Sequence, residues 1–261
     1  MRYLIAMVAF CLPIASMAEP LFNDGFESGS LNNSSNGVSY VSSKNISVTQ
    51  EKAKDGSYAM KFSYPAAPLG TDSFSEQRVK YPQTNELWIK YDLYIPDNYY
   101  HRMDGASNNK FLAVFKTDYR SPGFQVNWSL QPNGSGGSSL SIHRYHNGQL
   151  QRAFEPSGGA NLITPSDRGT WMTIMAQIKV PSSESANDGV MKMWKNGVLV
   201  CNETALNMYG GNGENYTDEL YILGWANSGY TEATYFYVDN LLINNEPFVK
   251  PKNPTDTGVT E

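Results

Sequence analysis

The feature that most restricts this chain is a period-two alternation of apolar and polar residues, recurring from position 58 to position 244 with no 3.6-residue period to compete with it. The segments "YAMKFSY" (58–64), "ELWIKYDLYIP" (86–96), "KFLAVFK" (110–116), "GFQVNWSLQ" (123–131) and "SLSIHRYHNGQLQRAF" (139–154) alternate or run apolar, with Gly, Pro, Asn or Ser between them. "WMTIMAQIKVP" (171–181), "GVMKMWKNGVLVCN" (189–202), "ELYILGWA" (219–226) and "ATYFYVDNLLIN" (233–244) continue the series. Successive side chains on a strand point to opposite faces, so each segment has one face for a core and one for something else. Asn-Gly at 147–148 and 196–197, flanked by these patterns, predicts two tight hairpins. Roughly a dozen strands at this spacing imply an all-β fold of two packed antiparallel sheets.

One segment breaks the rule that a strand needs an apolar face. In "SFSEQRVKY" (73–81), Phe74, Glu76, Arg78 and Lys80 fall on one face and Ser75, Gln77 and Val79 on the other. Such a row suits either a solvated sheet face carrying an ion pair or the floor of a groove for a charged ligand.

The chain opens with one Arg, an apolar run from Tyr3 to Leu12 and the small-x-small site Ser16-Met17-Ala18. This is the pattern of an export signal and is too short to span a membrane, so residues 1–18 are set aside as a signal peptide. No later segment is long and apolar enough to cross a membrane. The expected product is secreted or periplasmic, with one domain over 19–249 and a polar, Pro-containing tail over 250–261. Cys11 falls in the signal, leaving Cys201 alone; an intramolecular disulfide is then impossible and the core, or a metal, must hold the domain. Removing Arg2 takes the net charge from -5 to -6, which excludes nucleic acid as the expected partner. Aromatics make up 13% of the chain, 17 of them Tyr, and exposed Tyr and Trp suit sugar-binding surfaces. A monomer is expected.

"FNDGFESGSL", "KDGSYAMKF", "GTWMTIMAQIKV", "DGVMKMWKNGVLV" and "YFYVDNLLI" together resemble the jelly-roll sandwich of concanavalin A-like polysaccharide lyases, the alginate, glucuronan and heparin lyases. Laminin-G-like and other carbohydrate-binding modules share that fold, so activity has to be argued from a site. The resemblance implies β-elimination on a uronate polymer. Arg and amide donors neutralise the carboxylate beside the acidic C–H, a base takes the proton, and an acid protonates the departing oxygen.

The matching residue types lie on non-apolar strand faces. Arg78 with Gln125 or Asn127 would clamp the carboxylate, His143 would be the base and Tyr145 the acid. The Gln-x-His motif of some alginate lyases stands here as Gln125-Val126-Asn127, so the base falls to His143 or to a Tyr such as Tyr235 or Tyr237. Glu76, Lys80, Lys116, Arg144, Tyr235 and Tyr237 are the expected substrate-binding residues, with Arg152 on a basic rim. His101 falls in a loop and His146 at a turn, and for His143 itself a surface position without a role is the competing reading. The resemblance also implies a structural calcium, remote from the groove, for which Asp24, Glu27 and Asp239 are the expected ligands; hard oxygen ligands suit it. No organic cofactor is expected.

The leading reading is therefore an exported lyase acting on an acidic polysaccharide. Its rival is a non-catalytic carbohydrate-binding module. A retaining hydrolase with Glu-x-Asp-x-x-Glu on one strand finds no such pattern in the chain.

Overall fold

The alternating segments become strands of two sheets. A computed structural model describes residues 19–103, 108–117, 119, 123–146, 149–156, 161–208 and 215–248, except for the side chains of 146, 149 and 151–153. The expected signal (1–18), the tail (250–261) and the Asn147-Gly148 turn lie outside the described residues.

In chain order the strands begin β1 (Phe22–Asp24), β2 (Ser34–Ser35), β3 (Val38–Lys44), β4 (Ile46–Thr49), β5 (Ala59–Tyr64), β6 (Ser73–Thr84), β7 (Glu86–Tyr94), β8 (Asn109–Phe115) and β9 (Gln125–Pro132). They continue β10 (Ser138–His146), β11 (Gln149–Phe154), β12 (Asn161–Ile163), β13 (Trp171–Lys179), β14 (Gly189–Lys195), β15 (Val198–Leu206), β16 (Thr217–Ala226) and β17 (Thr234–Asn244). Among the described residues the only helical element is a 3-10 turn, Pro165–Asp167. Sheet I runs β15-β14-β13-β7-β17-β5-β4, with β1 against β17; sheet II runs β11-β10-β9-β8-β16-β6-β3-β2, with β12 against β10. All pairings are antiparallel. The fold is the expected all-β jelly-roll-type sandwich.

Positive φ at both turn residues is what Asn-Gly supplies to a two-residue hairpin, and Asn196 (φ 50°) and Gly197 (φ 79°) supply it between β14 and β15. Asn36 (φ 48°) and Gly37 (φ 79°) do the same between β2 and β3. That hairpin is missing from the sequence reading because its flanks are polar Ser residues.

The core lies between the sheets. Ile89, Tyr91, Leu93, Ile174 and Ala176 from sheet I meet Val114, Val126, Trp128, Leu140, Leu220 and Ile222 from sheet II, all essentially inaccessible. Burying a large apolar side chain stabilises by about 1.5–3 kcal/mol, so a core of this size holds the sandwich without a disulfide. Trp128 crosses the interface, its Nε1–H donating to Cys201 Sγ at 3.4 Å, and burial pushes the Cys201 thiol up to about 11. Tyr64 crosses too. Its hydroxyl lies 2.9 Å from Gly224 O and 3.0 Å from Ser75 O and accepts the Gly224 N–H at 3.1 Å, so sheet I grips an irregular point of β16.

Candidate active site

With Val79, Leu220, Val114 and Val126 facing the core, their neighbours in sequence face outward from sheet II. The pairing register then lines up one row across five strands: Arg78, Tyr221, Ala113, Asn127 and His143. One row to one side lie Lys80, Glu219, Phe115 and Gln125, with Tyr145 two residues along from His143 on the same face. To the other side lie Glu76 and the run Lys110, Ser129, Ser141. Gly224 (φ +132°) sits between Glu76 and Lys110. A Cβ there would stand 3.2 Å from Glu76 Oε2, Lys110 Cβ and a Tyr221 ring carbon, so only glycine permits the approach.

Although outside the core, Glu76, Gln125, Asn127, Ser129, Ser141, His143, Tyr145 and Glu219 are all buried, whereas Arg78 is half-buried and Lys80 exposed. The charged row of β6 is therefore solvated at Lys80 and closes toward Glu76. Arg78 Nε bonds Glu76 Oε1 at 2.7 Å, its Nη1 lies 3.5 Å from Glu219 Oε1, and its guanidinium lies over Phe115 (5.7 Å) and Tyr119 (5.8 Å). Burial pushes the Glu76 and Glu219 carboxyls up, with Arg78 opposing. At Arg78 burial works against the charge, but Glu76 and then Glu219 outweigh it and raise its value.

His143 is 2% exposed, and neither ring nitrogen has a hydrogen-bond partner among the described residues. Burial, then the Lys110 charge, lowers its pKa to about 4, so the ring is neutral near pH 7. Asn127 Nδ2, directly opposite, also lacks a partner, while its Oδ1 accepts from Ser129 Oγ at 3.4 Å. Each buried polar atom left unpaired costs about 1–3 kcal/mol, and a row of them marks where a polar ligand would be held.

Phenols line the other side of Arg78. Tyr221 donates to Tyr119 at 3.2 Å, and both rings pack on Phe115. Tyr145 lies close enough to act on Tyr119 electrostatically and by hydrogen bonding. Burial raises Tyr119 and Tyr221, which therefore keep their protons. Asp218 anchors the turn carrying Tyr119, accepting from Thr117 N and Thr117 Oγ1 at 2.6 Å each.

The structure thus brings together Glu76, Arg78, Lys80, Gln125, Asn127, His143 and Tyr145. Arg144 is a correction: it alternates onto the inter-sheet side, opposite Val126, and bonds the Asn207 carbonyl. Tyr235 and Tyr237 are corrections as well, because β17 belongs to sheet I. Tyr237 packs on Tyr94 and donates to Glu51 at 2.9 Å, and Lys61 lies 4.2 Å over Tyr235. Neither can serve a site built around Arg78. Lys116 follows β8 with its stem against Gly123 at the turn toward β9, outside the rows. His101 lies outside the strands, as expected, and is fully buried, paired with Ser138 Oγ at 2.7 Å. The side chains of Arg152 and His146 lie outside the description.

Sequence reasoning missed Tyr221, Glu219, Lys110 and Tyr119. The alternation in "ELYILGWA" sets Glu219 and Tyr221 against Leu220 and Ile222, a signal that its apolar content hides.

The calcium trio is scattered. Asp24 accepts from Phe26 N and Tyr40 OH at 2.8 Å each. Glu27 and Asp239 hold the 54–58 loop from two sides: Glu27 accepts from Ser57 N and Tyr58 N, Asp239 from Lys54 N and Asp55 N. Burial and the neighbouring Asp55 carboxylate raise Asp239, while those backbone donors lower it. Among the described residues no three His, Cys, Asp or Glu side chains converge as ligands of one ion. The trio does not fit a single calcium, and its carboxylates are taken up by backbone and phenol donors.

A family model described as "Polysaccharide lyase" matches residues 23–221. Among solved structures, an endo-beta-1,4-glucuronan lyase from the fungus Trichoderma reesei superposes with TM-score 0.62 at 15% identity, over 87% of this chain and 96% of that one. An alginate lyase in complex with alginate trisaccharide gives TM-score 0.60 at 11% identity, over 89% and 100%. The marine alginate lyase from Aplysia kurodai gives 0.57 at 12%, over 88% and 100%. At these identities the structures establish likeness of fold. No curated protein sequence matches the chain.

Proposed function

This chain belongs to the polysaccharide lyase family, and from that premise we propose that it cleaves an acidic, uronate-containing polysaccharide by β-elimination on the outer face of sheet II. The observation that carries the reading is the row Arg78, Asn127, His143: a fixed cation, then an amide donor and a neutral imidazole that have no hydrogen-bond partner among the described residues. Elimination needs these three kinds of group.

Arg78, held by Glu76 and Glu219, meets the uronate carboxylate together with the Asn127 and Gln125 amides. Neutralising that carboxylate stabilises the carbanion-like charge that develops beside it. His143 takes the C5 proton, the electron pair forms the C4–C5 double bond, the C4–O bond breaks, and Tyr145 gives its proton to the leaving oxygen. Tyr119 and Tyr221 orient that phenol. A binding-only module would use His143 to hold a sugar hydroxyl, and turnover separates that reading from elimination.

Incubation with alginate, polyglucuronate, heparin, chondroitin and pectate is expected to raise ultraviolet absorbance on at least one, as the conjugated double bond forms. Reducing ends that accumulate without absorbance would replace elimination by hydrolysis. The proposed export signal predicts a mature protein starting at Glu19 by intact mass.

The carboxylates of Asp24, Glu27 and Asp239 face backbone N–H and phenol donors, surroundings that favour an anion over a cation, so we infer that they hold no calcium and Tm is expected to agree within about 1 °C between millimolar calcium and EDTA. A ligand at a hundred times its Kd contributes about 2.7 kcal/mol, so a rise of about 5–10 °C in calcium would restore the ion.

A further inference from the structure

On the outer face of sheet II, the proposed reaction leaves unused an aromatic pair, Phe74 and Trp225. The two residues are directly opposite in the β6–β16 register, and their rings stack at 4.4 Å and 28°. Phe74 shares its face with Glu76, Arg78 and Lys80, and the register of β6 against β16 is unbroken from Lys80 to Ser73. At ~3.3 Å per residue the pair therefore begins ~7 Å from Glu76 and ~13 Å from Arg78.

Trp225 is 45% exposed, unusual for an indole with one face already stacked. The backbone puts it there. Leu223 (φ 57°) and Gly224 (φ +132°) form an irregular point where pairing with β8 lapses between Ile222 and Ala226, held from below by Tyr64. Irregularities of this kind re-aim a side chain, and here the turned residue lands on Phe74 with its other face open. Lys44 is opposite Glu76 on β3, and Lys110 borders Gly224, so the flat apolar surface has cations beside it. A sugar ring presents an apolar face of matching shape, and a uronate adds a carboxylate for the cations.

Resting on the reading of this face as the glycan site, we propose that Phe74 and Trp225 form a stacking subsite for a ring of the polyuronate removed from the bond that is cleaved. The pair is a binding element; it touches no reacting atom.

The test uses Trp225→Ala and Trp225→Phe with alginate and polyglucuronate. Trp225→Ala is expected to raise KM on the polymer about tenfold with kcat within about twofold, and Trp225→Phe to restore most of the loss. In a His143→Gln background, either polymer is expected to shift indole emission, and the shift is expected to vanish with Trp225→Phe. Unchanged KM together with an emission shift that survives Trp225→Phe overturns the subsite. If no polymer yields unsaturated product yet the emission shift appears and depends on Trp225, the elimination reading falls and the subsite stands.

Discussion

Replacing His143 by glutamine is expected to lower turnover by about 10²–10⁴-fold, the usual worth of a positioned proton-transfer group, while affinity for the polymer changes by less than about threefold. Glutamine keeps a polar, neutral side chain in the row with Asn127 but cannot accept and hold the C5 proton. The pH dependence carries an independent signature. His143 is held at about 4, below its ordinary value of 6.5, by burial and then by Lys110. The acid limb of kcat/KM is therefore expected near pH 4–5, well below the limb of an ordinary imidazole. The sign for stability follows from the same depression. The folded state binds fewer protons than the unfolded one between about 4 and 6.5, so this residue's contribution rises with pH across that window and is constant above it. His143→Gln should flatten that part of the profile in thermal melts. A variant with wild-type turnover would move the base elsewhere in the site.

How much of this was legible beforehand depends on what each residue answers to. The strands over 59–64, 86–94, 171–179 and 234–244 follow from alternation because a buried face imposes its period on the sequence. Strand β3, "VSYVSSK", buries only Val38 well and leaves most of its length exposed, so no period was imposed and none could be read. The Asn36-Gly37 hairpin shows that turn chemistry survives where the hydrophobic signal fails.

Alternation also says which residues share a face but not which sheet a strand joins. That is why Arg78, Asn127 and His143 were grouped correctly and Tyr235 and Tyr237 were not. β6, β9 and β10 all enter sheet II, whereas β17 enters sheet I between β7 and β5. Arg144 fell to parity: as the neighbour of His143 it had to face the other way. The opening anomaly of a charged strand face resolves in the same terms. Glu76 was readable as a partner of Arg78, but Glu219 comes from a strand about 140 positions away, a pairing set by topology.

Arg78→Ala is accordingly expected to do two separable kinds of damage. It removes the cation that neutralises the substrate carboxylate, which should lower kcat/KM by about 10²–10³-fold, as loss of a preorganised charge-stabilising donor does. It also leaves Glu76 and Glu219, both under 10% exposed, facing each other without the guanidinium between them. Breaking a buried ion pair from one side costs about 3–5 kcal/mol, so Tm should fall by about 6–20 °C at pH 7. The two carboxyls are already pushed up by burial, with Arg78 holding them down; without it they rise further. Folded-state values raised above the unfolded ones make the folded state bind more protons, so the stability penalty grows as pH rises from the unfolded carboxyl value and is relieved on acidification. Relative to wild type both variants lose stability as pH rises, but His143→Gln converges on wild type above about pH 6.5 whereas Arg78→Ala departs furthest from it there, so melts at pH 7 tell the two apart. The double variant Arg78→Ala/Glu76→Gln removes one of the stranded charges and should recover much of the Tm, with no recovery of activity. If the double variant regained activity along with stability, Arg78 would be a structural cation and the carboxylate clamp would have to be built from Lys80 and Lys110 instead.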